Sequence, residues 1–119
     1  MSDFKSLKLI PIILKNLENK CYTEPTPIQA KAIPPLVEGK DLLGIAQTGT
    51  GKTAAFSLPI LNRLGRNRVK IHKNHTRVLI LTPTRELASQ IVANITEYGK
   101  GLNLSSTVIF EAAYLLPQR

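Results

Sequence analysis

A single cysteine, Cys21, in 119 residues leaves no internal disulfide framework and fits a reducing, cytoplasmic setting. Long hydrophobic runs are also missing, and none approaches the roughly 18–20 residues of a membrane span. The opening stretch MSDFKSLKLIPIIL is interrupted by Lys5, Lys8 and Pro11 and has no small-residue cleavage site, so secretion is not expected. Metal-ligand clusters are absent from the pattern too, since His72 and His75 lie in a polar stretch without a nearby thiol or carboxylate. Acidic residues are scarce, 8 against 16 basic, and the net charge of +8 favours a polyanionic partner. What is present is ordinary for a globular chain. Its 43% apolar content excludes the low-hydrophobicity disordered class, and its length suits one domain.

Periodicity organises the chain. In LIPIILKNL, Ile10, Ile13, Leu14 and Leu17 follow helical spacing, with Pro11 suited to a first turn, and this helix is predicted to end near Asn19. EPTPIQAKAIPPLVEG predicts a short helix from about Pro27, a break at Pro34-Pro35 and a stop at Gly39. DLLGIA (41–46) reads as a buried strand, followed by a helix from Lys52 to about Leu64 with a bend at Pro59. RVLILT (77–82) and STVIF (106–110) read as two more strands. Between them a helix carries Leu87, Ile91, Ile95 and Tyr98 on one face and stops at Gly99. Strands alternating with helices predict an α/β fold with a parallel sheet flanked by helices. Arg63, Arg66, Arg68, Lys70, Lys73 and Arg77 fall in one stretch that reads as a long polar loop, either a solvated connection or a nucleic-acid contact surface.

The strongest chemical signal is AQTGTGKT at 46–53. It fits the phosphate-loop spacing, with Ala46 where the general pattern has its first glycine. Gly49 and Gly51 let backbone N–H groups approach phosphates, Lys52 supplies charge to the β/γ-phosphates, and the Thr53 hydroxyl can ligate Mg²⁺. The following helix offers its N-terminal dipole to the anion. In PTPIQ (25–29), Gln29 can pair with an adenine edge; Thr26-x-x-Gln29 is equally a capping box with Pro27 at the first helical position. Tyr22 and Phe4 are each either core aromatics or surfaces for a base. Thr84 is either a plain N-cap or part of an anion site at the start of its helix.

Four ordered elements, namely Phe4, YTEPTPIQ (22–29), AQTGTGKT (46–53) and PTRELA (83–88), together resemble the first part of a DEAD-box ATP-dependent RNA helicase, more narrowly the bacterial RhlE-like branch. The likeness extends from Phe4 to about Ile109. It implies an incomplete RecA-like P-loop domain, with residues 1–39 as the Q-motif region and 40–119 as part of the first helicase domain; the second RecA-like domain is absent. In that family Gln29 would read adenine, Tyr22 would stack on the ring, and Phe4 would support the pocket. Ala46, Gln47, Thr48, Gly49, Thr50, Gly51, Lys52 and Thr53 would hold ATP and Mg²⁺. Pro83, Thr84 and Arg85 would contact the backbone of single-stranded RNA. One departure is Cys21, which stands where the family usually has glycine; if φ is positive there, the residue costs about 1 kcal/mol.

The larger departure concerns catalysis. Hydrolysis in this family needs an Asp-Glu pair at the end of a later strand to hold Mg²⁺ and orient water. Asp3 and Asp41 precede the phosphate loop, and only Glu86, Glu97 and Glu111 follow it. Glu111, after TVIF, is a weak stand-in, because the resemblance makes that strand fall short of the DEAD strand. The chain therefore reads as truncated before the DEAD strand, with no complete catalytic set, and as inactive alone. The alternative is a non-catalytic RNA-binding or regulatory fragment. In the complete fold DLLGIA would lie between strands from later sequence, so marginal stability, self-association or partial unfolding around 41–53 is expected.

Overall fold

The computed structural model describes residues 3–45, 51–67 and 75–109. Expectations for Ala46, Gln47, Thr48, Gly49, Thr50, His72, the basic residues 68–73, and Phe110 to the end, Glu111 included, lie outside the described residues. Among those described, the regular elements are all helical. A 3₁₀ turn over Phe4–Leu7 is capped by Asp3, whose carboxylate accepts from the Ser6 N–H at 3.0 Å. Helix α1 covers Pro11–Asn19, α2 Pro27–Val37, α3 Lys52–Arg66 and α4 Arg85–Tyr98.

Helices α1 and α2 both begin with proline, whose missing N–H would be unpaired at a first turn in any case. At the start of α2 the capping box is complete: the Thr26 hydroxyl accepts from Gln29 N–H at 3.4 Å, and Gln29 Oε1 accepts from Thr26 N–H at 2.9 Å. The expected break at Pro34-Pro35 does not occur, and α2 continues to Val37. The two prolines lose only their own donors, whereas their carbonyls still accept, Pro34 from Glu38 N–H (3.2 Å) and Pro35 from Lys40 N–H (3.0 Å). The Lys40 bond, with Gly39 N–H donating to Leu36 at 3.0 Å, closes a Schellman stop around Gly39 at φ +87°.

Helix α3 also runs further than expected, to Arg66, so Arg63 and Arg66 stand on a helix and not in a loop. Its buried stripe, Ala54, Leu58 and Leu61, carries the helical spacing onward, and cations suit the negative end of the dipole. Helix α4 matches its expected span and buries Ile91 and Tyr98.

These stripes meet in one core. Ile13 and Leu17 from α1, Ile33 from α2, Leu58 and Leu61 from α3 and Tyr98 from α4 close on Phe4, Leu7, Leu9 and Leu102. Ile13, Ile33 and Leu58 are wholly buried, each worth about 1.5–3 kcal/mol of apolar transfer. Two asparagines tie loops into this core. Asn62 Oδ1 accepts from Ile10 N–H at 2.7 Å, and Asn16 Nδ2 donates to the Tyr98 and Lys100 carbonyls, each at 2.8 Å. The Asn16 amide thus satisfies acceptors that the end of α4 leaves open.

The three expected strands are not formed among the described residues. Segments 41–45, 77–82 and 106–109 have no regular secondary structure and make no ladder with one another. A strand exists only through backbone bonds to a neighbour, and among the described residues these segments share none. Their apolar side chains are correspondingly open: Leu43 is 88% exposed, Ile45 87%, Leu79 77% and Leu81 84%. Among the described residues the helical layer of the expected α/β fold is present and the parallel sheet is not formed.

Candidate nucleotide site

The described part of the phosphate loop is its last turn. Gly51 caps α3 at φ +88°, a left-handed conformation that a side chain disfavours. A side chain would also displace the capping box, since a Cβ there would fall 2.4 Å from Gln29 Nε2 and 2.9 Å from Thr26 Oγ1. Gly51 therefore presses directly on the α2 capping box. Gln29 Nε2 donates to the Gly51 carbonyl at 3.2 Å, so one amide closes the box and grips the phosphate-loop end of α3.

That arrangement explains why Gln29 is 5% exposed although it is polar. Its oxygen is held by Thr26 N–H and its nitrogen by Gly51, leaving one amide hydrogen and one oxygen lone pair for a further partner. The cap and a base contact are compatible. Lys52 and Thr53 occupy the first turn of α3, Lys52 exposed and Thr53 half-buried. Their backbone N–H groups belong to the unpaired donors of a helix start, which suit a phosphate oxygen.

The two aromatics separate. Phe4 is a core residue, 4% exposed, in a 3₁₀ turn that lies against α2, so it supports that helix and offers no face to a base. Tyr22 is 41% exposed and follows Cys21, which adopts φ +61°, the left-handed conformation considered from the sequence. Cys21 N–H donates to the Glu18 carbonyl and Tyr22 N–H to the Leu17 carbonyl, both at 2.9 Å, so α1 ends in a Schellman motif with cysteine in the glycine position.

Beside Tyr22 lies a cluster that sequence reasoning missed. The Tyr22 and Tyr98 ring centroids are 6.4 Å apart, tilted by 51°, and Lys20 Nζ lies 5.6 Å from each centroid. Lys20 also pairs with Glu97. Burial pushes the Tyr98 phenol up to about 12, with the Tyr22 phenol and then the Glu97 carboxylate adding to the rise. Helical spacing marked Tyr98 as a core position, but nothing in spacing connects it to residue 22, which is 76 positions earlier in the chain.

Pro83, Thr84 and Arg85 are exposed at the start of α4. Thr84 is an N-cap, its hydroxyl accepting from Leu87 N–H at 3.1 Å, and Thr82 Oγ1 donates to the Thr84 carbonyl at 3.0 Å. The hydroxyl is therefore occupied as an acceptor while the helix N-terminus faces solvent, so the capping reading is correct and the anion site remains open to the helix N–H groups. A separate cleft of about 460 Å³ between α2 and α3, lined by Gly39, Pro59, Arg63 and Arg66 among others, includes none of the residues expected to bind nucleotide. Among the described residues no helix is long and apolar enough to cross a membrane, and no group of three or more His, Cys, Asp or Glu could hold a metal.

Comparison with known proteins points one way. A family model described as DEAD/DEAH box helicase matches residues 26–116. An ATP-dependent rRNA helicase RRP3 of Eremothecium gossypii is 44% identical over 117 residues, covering 98% of this chain and 23% of that protein. The ATP-dependent RNA helicase DeaD of Buchnera aphidicola is 48% identical over 99 residues, 83% of this chain and 16% of that protein. Among solved structures, the RNA helicase Prp28 of Chaetomium thermophilum bound to ADP superposes with a TM-score of 0.83 at 36% identity, covering 96% of this chain and 28% of its own. Saccharomyces cerevisiae Dbp5 bound to RNA and ADP BeF3 gives 0.71 at 35% identity, covering 84% of this chain and 25% of its own. The chain spans less than a quarter of the length of these curated relatives.

Proposed function

Because the chain belongs to the DEAD/DEAH box helicase family, we propose that it is the nucleotide-binding part of an ATP-dependent RNA helicase. The observation that carries this reading is the bond from Gln29 Nε2 to the Gly51 carbonyl, which joins the adenine-reading element to the phosphate loop. In this reading Gln29 spends its remaining donor and acceptor on adenine, and Tyr22 stacks on the ring. Residues 46–53 wrap the phosphates, with Lys52 neutralising charge. Mg²⁺ fits a site of this kind, because it binds through few protein ligands and substrate phosphates; Thr53, half-buried at the first turn of α3, is the residue that would hold it. Bound there, the ion would screen the phosphate charge. Residues 1–39 form the adenine-reading region and 40–119 part of the first RecA-like domain, and assignment to the RhlE-like branch rests on the motif set alone.

Turnover is not part of the proposal for these residues alone. In-line attack on the γ-phosphate needs a carboxylate to orient water. Of the acids in this chain, Glu97 is held by Lys20 and Glu38 pairs with Lys40 at 3.6 Å. Pro83, Thr84 and Arg85 bind the backbone of single-stranded RNA through the start of α4, so that binding is independent of sequence and weakens with salt. The setting is cytoplasmic, and the exposed Leu43, Ile45, Leu79 and Leu81 lead to self-association. A second reading, an RNA-binding or regulatory fragment without catalysis, shares the α4 surface and differs in needing no nucleotide.

Nucleotide titration separates the two. Lys52→Ala is expected to abolish binding of ATP. Gln29→Ala would also damage the cap of α2, so the sharper variant is Gln29→Glu, which retains an acceptor for Thr26 N–H but cannot donate to Gly51. Helix content should be unchanged in Gln29→Glu, while the preference for ATP over GTP disappears. Equal binding of ATP and GTP by the parent chain would overturn the adenine-reading role of Gln29.

A further inference from the structure

We propose that Tyr98 and Lys20 are positioning residues for Tyr22, holding its ring where it stacks on a purine. The proposal rests on the reading of Tyr22 as the stacking residue. A ring 41% exposed at the end of a helix has free rotamers, and ordering them at the moment of binding costs affinity. Here the ring is ordered in advance from three sides. Its backbone is fixed by the Tyr22 N–H bond to Leu17 at 2.9 Å. One flank meets Tyr98, itself 4% exposed and therefore an immobile wall, at a tilt of 51° and a centroid distance of 6.4 Å, within the range of aromatic pairs. Lys20 Nζ sits at 5.6 Å from both centroids, where a cation is attracted to the ring, and Glu97 holds that cation in place.

The wall is also anchored. Asn16 Nδ2 ties the Tyr98 and Lys100 carbonyls to α1, the helix that leads into Tyr22. Tyr22 and Tyr98 are thus referenced to the same helix. The exposed part of the Tyr22 ring is left open to a base.

A merely structural role for Tyr98 predicts general damage, whereas a positioning role predicts loss confined to ligands that carry a base. The full chain is therefore titrated with ADP, GDP and inorganic tripolyphosphate. Stacking acts on either purine, so Tyr22→Ala should weaken ADP and GDP alike, by about tenfold, and leave tripolyphosphate unchanged. Tyr98→Ala should do the same, and the double variant should be no worse than Tyr22→Ala, because both remove one stack. Lys20→Met, at a half-buried position outside the core cluster, should weaken both purine nucleotides about twofold to threefold, and should have no effect in a Tyr22→Ala background.

Two outcomes overturn the positioning role while leaving Tyr22 in place: unchanged purine affinity in Lys20→Met and Tyr98→Ala, or tripolyphosphate weakened as much as ADP in Tyr98→Ala. Unchanged ADP affinity in Tyr22→Ala removes the stacking reading itself, and this inference with it. Should Tyr98→Ala fail to fold, the Lys20→Met pair of measurements decides alone.

Discussion

The four helices and the three apolar segments 41–45, 77–82 and 106–109 draw on the same residues, leucine, isoleucine and valine, with opposite results. Leu58 and Ile33 are wholly buried, whereas Leu43 and Leu81 are almost wholly exposed. Hydrophobicity alone does not distinguish them. A helix closes its backbone hydrogen bonds within itself, so four helices need only meet along their stripes to make a core. A strand must borrow its bonds from a neighbour before burial of its side chains is possible. The helical region is therefore self-sufficient, and the other awaits partners.

The largest expected effect tests that division directly. Leu58→Ala should cost about 3–5 kcal/mol, as cavities in helical cores do. Against a typical total of about 5–15 kcal/mol, that loss should lower the thermal midpoint of the helix signal in circular dichroism by more than about 10 °C. Leu43→Ser removes a similar side chain from the other region and should change stability by less than about 0.5 kcal/mol. It should instead lower self-association in sedimentation velocity, because less apolar surface is presented to a second copy. Equal destabilisation by the two variants would mean that 41–45 is packed in solution and that the division is wrong.

A smaller effect belongs to the seam inside the helical region. Asn16 is the buried side chain that joins the end of α4 to α1, through two bonds of 2.8 Å. Asn16→Ala should cost about 1–3 kcal/mol, since it leaves two carbonyls without their partner. Hydrogen exchange should locate the damage at Tyr98 to Leu102, with α2 protected as before. Uniform loss of protection across all four helices would show instead that the helices respond as a single cooperative unit.

Much of the helical region was legible in the sequence. Pro11, the capping box at Thr26 and the stop at Gly99 are local signals, decided within a few residues, and the structure follows them. The break expected at Pro34-Pro35 failed because proline near a helix end removes donors without removing acceptors. The sheet was legible only as apolar runs, since register and pairing depend on residues far away in the chain. The site divides in the same way. Gln29, Lys52 and Thr84 announce themselves by motif, whereas the bond from Gln29 to Gly51 and the meeting of Lys20, Tyr22 and Tyr98 are products of tertiary packing.

The smallest effect in the comparison runs in the opposite direction, towards stability. Cys21 holds φ +61° in the Schellman motif that ends α1, a conformation in which Cβ crowds the backbone. Two bonds of 2.9 Å, from Cys21 N–H to Glu18 and from Tyr22 N–H to Leu17, keep it there. Cys21→Gly relieves the crowding and gives up some unfolded-state restriction, so the net gain should be about 0.5–1 kcal/mol. Cys21 is exposed, and no packing is lost with its thiol. Cys21→Ala separates the causes, because it deletes the sulfur and keeps the Cβ. Thermal melts should place glycine above the parent and alanine level with it. If alanine gains as much as glycine, the thiol and not the backbone is the source of the cost, and the strain assigned to this turn is absent.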